Sequence, residues 1–269
     1  MIDSHCHLEQ DAYKDDLNQV IELCKKEGLK ALVSVCAHPK DFDRSLKIVE
    51  KYKNYVFLCA SIHPEFVKEI TSKQVDEYFD RLKENKDKLV AIGECGLDYF
   101  WVKENKWREK QKELFIQHIE LAKELKLPLV IHTRDAWEDS LKILEGKDVK
   151  KAMLHMWGSK DKNHLKRIVE NNYFVSVGLL IARSKERKKM VRDLPLKNIM
   201  LETDSPWFGQ NSERGLPTNV IIPCEKIAEI KKVDLNYVSD ITDKNSIEFF
   251  SLFARNAKRL KDSVFCRID

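Results

Sequence analysis

Short apolar, β-branched runs alternate along the chain with charged segments whose apolar residues recur at helical spacing. The runs at 1–5, 31–37, 55–62, 89–93, 129–132, 152–155, 173–177 and 198–202 predict strands. Between them, segments 15–27, 42–53, 106–126, 135–145 and 162–171 predict amphipathic helices. Within the longest of these, Leu114, Ile116, Ile119, Leu121 and Ala122 lie close to one stripe, with Lys and Glu facing away. A strand followed by a helical segment, repeated along the chain, implies a parallel sheet. Eight such units in about 250 residues have the size of a (β/α)8 TIM barrel; a doubly wound open sheet is the alternative. No low-complexity stretch, linker or repeat divides residues 1–269, so the chain reads as a single α/β domain. Extra C-terminal helical material follows at 234–260.

Composition narrows the partners more than the fold. The chain has 43% hydrophobic and 34% charged residues, ordinary for a globular protein with a sizeable core. Its 48 basic and 44 acidic residues give a net charge of +4, too weak a bias to name nucleic acid by charge alone. The seven cysteines are scattered, with no C-x-x-C pair, which fits buried thiols in a reducing compartment rather than a disulfide framework. No apolar run approaches membrane-spanning length and no basic-then-apolar leader opens the chain. The expectation is a cytoplasmic protein with no membrane partner and no obligatory protein partner.

The metal-competent residues gather where the predicted strands end. His5 and His7 follow the first, His63 the third, Glu94 the fourth; His132 closes the fifth and His155 the sixth, and Asp204 follows the eighth. Strand ends of a barrel converge on one face, where active sites of this architecture sit. Four imidazoles and two carboxylates, with Glu94 as the bridge, suffice for two divalent ions. On this reading His5, His7 and Asp204 hold one ion, and His132 and His155 hold the other. Imidazole donors favour zinc or manganese over magnesium. A hydroxide bridging such ions is a nucleophile near neutral pH, with Glu94 and Asp204 at the catalytic centre and Asp204 as general base.

Four segments, Asp3-Ser4-His5-Cys6-His7-Leu8, Gly93-Glu94-Cys95-Gly96-Leu97-Asp98-Tyr99, Ile131-His132-Thr133-Arg134-Asp135-Ala136 and Leu201-Glu202-Thr203-Asp204-Ser205-Pro206, resemble the TatD family of metal-dependent hydrolases. Asn256-Ala257-Lys258-Arg259-Leu260 resembles that family's closing motif. The resemblance implies a TIM barrel of the amidohydrolase group and a metal-dependent deoxyribonuclease acting chiefly on DNA ends, a hydrolase of ester bonds with 3′–5′ exonuclease-like action. By motif it implies His5, His7, Glu94 and Asp204 at one metal, and Glu94, His132 and His155 at the other. The metals would be magnesium, manganese or zinc, and the substrate DNA single-stranded or approached at its ends. His63 would contact the scissile phosphate, with Arg134 a further substrate-binding donor.

Two loops depart from the family pattern. Met156-Trp157-Gly158-Ser159 stands where a Cys-Phe-Ser-Gly-like segment is usual, and Arg214-Gly215-Leu216-Pro217-Thr218-Asn219 replaces an Arg-Asn-Glu-Pro stretch. Both shape the mouth rather than the metals. Tyr99, Phe100, Trp101, Trp157, Trp207 and Phe208 fall in mouth loops, where flat rings either stack bases or pack the loops together. The basic run at 183–189 either tracks a phosphate backbone or is a solvated helix face. A bridging hydroxide also attacks carbonyls, so D-aminoacyl-tRNA deacylation, a small-molecule amidohydrolase and action on a small nucleotide ester remain alternatives. A barrel that only binds metal would need an incomplete ligand set.

Overall fold

The computed structural model describes residues 1–209 and 213–253. In chain order the elements are β1 (Ile2–Cys6), α1 (Leu17–Lys26), β2 (Ala31–Cys36), α2 (Phe42–Lys51), β3 (Val56–Ala60), α3 (Ser72–Glu84), β4 (Leu89–Asp98) and α4 (Asn105–Leu125). They continue with β5 (Leu129–Arg134), α5 (Trp137–Gly146), β6 (Ala152–His155), α6 (Lys162–Glu170), β7 (Phe174–Val177), α7 (Lys185–Asp193), β8 (Ile199–Leu201), α8 (Ile221–Lys231) and α9 (Leu235–Phe250). All eight strands are parallel neighbours in sequence order. Helix α3 escaped the periodicity reading, although Thr71 and Gln74 form a reciprocal capping box at its start. No helix among the described residues is long and apolar enough to cross a membrane.

The sheet closes on itself, which decides for the barrel over the open sheet. Past the end of β8, Asp204 N–H donates to His5 O at 2.9 Å and His7 N–H donates to Ser205 O at 2.7 Å. Side chains complete the seam: Ser4 Oγ donates to Leu201 O at 2.7 Å, and Asp3 accepts from the Thr203 N–H and hydroxyl at 3.0 and 2.6 Å. Burial pushes Asp3 up to about 8 despite these donors.

Two apolar layers surround the strands. Ile2, Val33, Cys59, Ala91, Val130, Met153 and Met200 fill the interior, and Phe249, Phe250 and Leu252 from the α9 region pack against them. Residues such as Leu32, Ile92, Phe115 and Leu154 join the strands to the outer helices. Full burial of each large side chain contributes about 1.5–3 kcal/mol, so the plugged interior leaves function to the loops beyond the strand C-termini.

Two bulges set which side chains face that end. Between Asp3 and Cys6, and again between Ile92 and Cys95, the bulged strand uses an extra residue against its neighbour. Each bulge reverses the inside–outside alternation, turning His5 and Glu94 toward the barrel axis. The second needs glycine: a Cβ on Gly93 (φ +154°) would lie 2.5 Å from Val130 Cβ, and one on Gly96 (φ +138°) would lie 2.1 Å from His132 O.

Candidate metal centre

At the open end, four imidazoles and two carboxylates crowd one another, with one side-chain hydrogen bond among them, between His5 Nε2 and His7 Nε2 at 3.2 Å. His5 Nε2 lies 3.4 Å from Glu94 Oε2 and 3.7 Å from Asp204 Oδ1, and His7 Nε2 lies 3.3 Å from the same Asp204 oxygen. His155 Nε2 is 3.5 Å and His132 Nδ1 3.8 Å from Glu94 Oε2. Two ligands bound to one ion at about 2.1 Å with tetrahedral angles stand about 3.4 Å apart. The spacing is that of donors arranged around cations. His5 Nδ1 and Glu94 Oε2 are buried without a hydrogen-bond partner, and a cation at Glu94 would relieve the cost at the carboxylate oxygen.

The far side of each ring shows which nitrogen is free. His7 Nδ1–H donates to Val35 O at 2.8 Å, His155 Nδ1–H to Glu202 Oε2 at 2.8 Å and His132 Nε2–H to Asp98 Oδ2 at 2.8 Å. Each bond fixes a tautomer whose remaining lone pair points at the carboxylates, the arrangement that orients metal-binding histidines. The facing Nε2 atoms of His5 and His7 are 3.2 Å apart, so that either His5 donates its N–H to the His7 lone pair or both lone pairs meet a cation. The residues present therefore fit divalent metal. Glu202, though close to His5 and His155, is occupied by the His155 N–H and by the Met156 N–H at 3.0 Å.

The carboxylates favour the charged form at three of the rings: against burial, those of Asp204 and Glu9 raise His7 well above the usual histidine range, those of Asp98 and Glu94 raise His132 to about 9, and those of Glu202 and Glu94 raise His155. Burial, reinforced by His155, holds His5 well below the usual histidine range. Burial alone would raise Glu94, but His63, His155 and His5 outweigh it and hold the carboxyl well below the ordinary range.

His63 occupies a different position from the other four. Its Nδ1 accepts the Glu65 N–H at 3.2 Å, so a neutral ring carries its proton on Nε2, 3.5 Å from Glu94 Oε1. That nitrogen is a donor toward the centre. The backbone just before it rests on His118, which the sequence reading passed over. Buried in α4, His118 accepts the Ile62 N–H on Nε2 at 3.2 Å and donates Nδ1–H to Leu114 O at 2.8 Å.

Burial pulls His118 down from 6.5 to about 4, and a protonated ring would set N–H against the Ile62 N–H. The unfolded chain therefore takes up the proton first as pH falls. Its stabilisation is complete above about 6.5 and is lost toward pH 4, about 3 kcal/mol over that window. In chelator, His118→Gln should show a shallower fall in denaturant midpoint between pH 7 and 4.5 than the parent. Identical slopes would contradict the neutral, doubly bonded ring.

The mouth residues separate into two groups. Trp157 is fully buried, and Tyr99 is packed by Arg108 4.4 Å over its ring and bonded to Asp139 Oδ2 at 2.7 Å. Phe100, Trp101, Trp207 and Phe208 are exposed. Arg134 lies over the Phe100 ring at 3.8 Å, at the rim. In the basic run, Ser184 caps α7, and Arg187 donates to Met156 O and Trp157 O at 2.6 and 2.7 Å, clamping the variant loop after β6. Lys185 and Lys189 are exposed on that helix. The variant loop after β8 is tied to the start of the chain: Arg214 pairs with Asp16 at 2.5 Å and covers Tyr13, whose hydroxyl donates to Gly215 O. The motif at 256–260 lies outside the described residues.

Residues 2–251 match the family described as TatD related DNase. The chain is 33% identical over 259 residues to the deoxyribonuclease TATDN3 of Homo sapiens, covering 93% of this chain and 94% of the relative. It is 32% identical over 260 residues to the uncharacterized metal-dependent hydrolase YabD of Bacillus subtilis, covering 94% and 99%. Among solved structures it is similar to a TatD homologue of Escherichia coli, with a TM-score of 0.85 at 21% identity over 93% of this chain and 98% of that one. A TatD family hydrolase of Entamoeba histolytica gives 0.84 at 21% identity, over 93% and 97%. At such identity these structures speak for the fold.

Proposed function

The chain belongs to the TatD related DNase family of metal-dependent hydrolases, and from that membership we propose that it is a deoxyribonuclease using two divalent cations to cleave phosphodiesters at single-stranded DNA or DNA ends, in the 3′–5′ direction. The observation that carries this reading is the cage of ring nitrogens around Glu94 Oε2, a buried carboxylate oxygen without a proton donor. His5, His7, Glu94 and Asp204 would hold one cation, and Glu94, His132 and His155 the other. The imidazole-rich donor set favours zinc or manganese over magnesium.

When bound, the cations supply Lewis-acid charge to phosphoryl oxygens and lower the pKa of water. The chain's own groups do the rest. Asp204, 3.3 Å from His7 Nε2 through Oδ1 and held by its backbone bond to His5 O, orients the attacking water and accepts its proton at the carboxylate. His63 donates Nε2–H to a non-bridging phosphate oxygen, a contact that strengthens as charge builds. Arg134, at the rim, meets the phosphate chain beyond the cleaved bond.

The test is hydrolysis by protein reconstituted separately with magnesium, manganese and zinc. A single-stranded oligonucleotide labelled at its 5′ end should shorten stepwise from the 3′ end, while a D-aminoacyl-tRNA and a small cyclic amide stay intact. Intact DNA with all three metals, beside turnover of either competitor, would overturn the assignment.

A further inference from the structure

Exposed aromatic rings beside a polar centre need a reason, and in one loop the reason is not slackness. Trp101 is 61% and Phe100 39% exposed, their rings edge-to-face at 4.9 Å. The backbone beneath them is tied on three sides. Arg108 donates to Val102 O and Tyr99 O at 3.0 and 3.1 Å, the Trp101 N–H donates to Asp98 Oδ1 at 2.7 Å, and the Tyr99 N–H donates to Arg134 O at 2.9 Å. A rigid loop thus projects two flat apolar surfaces into solvent. Arg134 stacks on them, its guanidinium carbon 3.8 Å from the Phe100 centroid and 5.5 Å from Trp101.

We propose that Trp101, Phe100 and Arg134 form a stacking platform for the unpaired base next to the cleaved phosphodiester, a proposal that rests on the nuclease reading. The platform offers what a single-stranded nucleotide presents: a π-face for the base and a cation for its phosphate. A duplex hides base faces in its own stack, so the occupant is an unpaired strand. The platform also adjoins the metal centre through one carboxylate, since Asp98 accepts the Trp101 N–H on Oδ1 and His132 Nε2–H on Oδ2. A base seated on Trp101 is therefore registered against the His132 side of the centre, and Trp101 acts as a positioning residue.

The experiment pairs a side chain with a base. Two single-stranded oligonucleotides, one intact and one abasic beside the cleaved phosphate, are given to the metal-loaded parent, Trp101→Ala and Trp101→Phe. Trp101→Ala should raise KM for the intact strand about tenfold, the size of one stacked base. Trp101→Phe should recover most of that loss, and on the abasic strand parent and Trp101→Ala should agree. Equal losses on both strands, or none on the intact one, overturn the platform. Anisotropy with a nuclease-resistant phosphorothioate version of both strands reads the same coupling without cleavage. Coupled binding without cleavage of any DNA would remove the nuclease reading and keep the platform; cleavage without coupling would do the reverse.

Discussion

Glu94→Gln should lower hydrolysis about 100- to 1,000-fold, the loss expected when a charge fixed at the reacting centre is removed. Glutamine keeps the volume and replaces one oxygen by an amide NH2, which has no lone pair for a cation. Glu94 Oε2 is the point that His5 Nε2 and His155 Nε2 approach at 3.4 and 3.5 Å, so neither side of the centre is spared. Bound metal per chain, measured after dialysis, should fall with activity. Full activity with unchanged metal content would end the view of Glu94 as the shared ligand.

How far the sequence reached can be judged at Glu94 itself. Buried parallel strands read as continuous apolar runs, which made the eight strands and their order legible. The end of β4 was not: the predicted strand stops at Gly93, whereas the ladder runs on to Asp98. The turn of the side chains was not legible either. Ile2 and Ala91 face the barrel interior, and plain alternation would send His5 and Glu94, each three residues further on, to the outside. The bulges correct this, and a bulge depends on cross-strand register that no single strand encodes. His132 and His155, two residues beyond the interior Val130 and Met153, need no correction. Asp98 and Glu202 stood in the recognised motifs, but their partners lie on other strands. His118 carried no signal beyond being a polar residue on an apolar helix stripe.

Those motif carboxylates lead to the second large effect. Asp98→Asn should weaken the His132 side of the centre 10- to 100-fold in metal affinity, the usual cost of losing a group that orients a ligand histidine. Asp98 now accepts from two donors, the His132 Nε2–H at 2.8 Å and the Trp101 N–H at 2.7 Å. Asparagine has a single oxygen, and one of those donors must meet an amide NH2 instead. If the oxygen stays with Trp101, His132 must accept on Nε2 and carry its proton on Nδ1, the nitrogen 3.8 Å from Glu94 Oε2. The lone pair is then turned away from the centre without any movement of the ring. If the oxygen stays with His132, the loop carrying Trp101 loses its tie, and the tenfold dependence on that ring should vanish. Metal titration separates the two cases from a third, in which Asp98 only fills space: affinity and Trp101 dependence would then both match the parent. Glu202→Gln provides the counterpart at His155, whose Nδ1–H a glutamine oxygen can still accept while the Met156 N–H keeps only Ser176 Oγ, at 3.3 Å. Its metal loss should be the smaller of the two, because the loop after β6 keeps the Arg187 clamp.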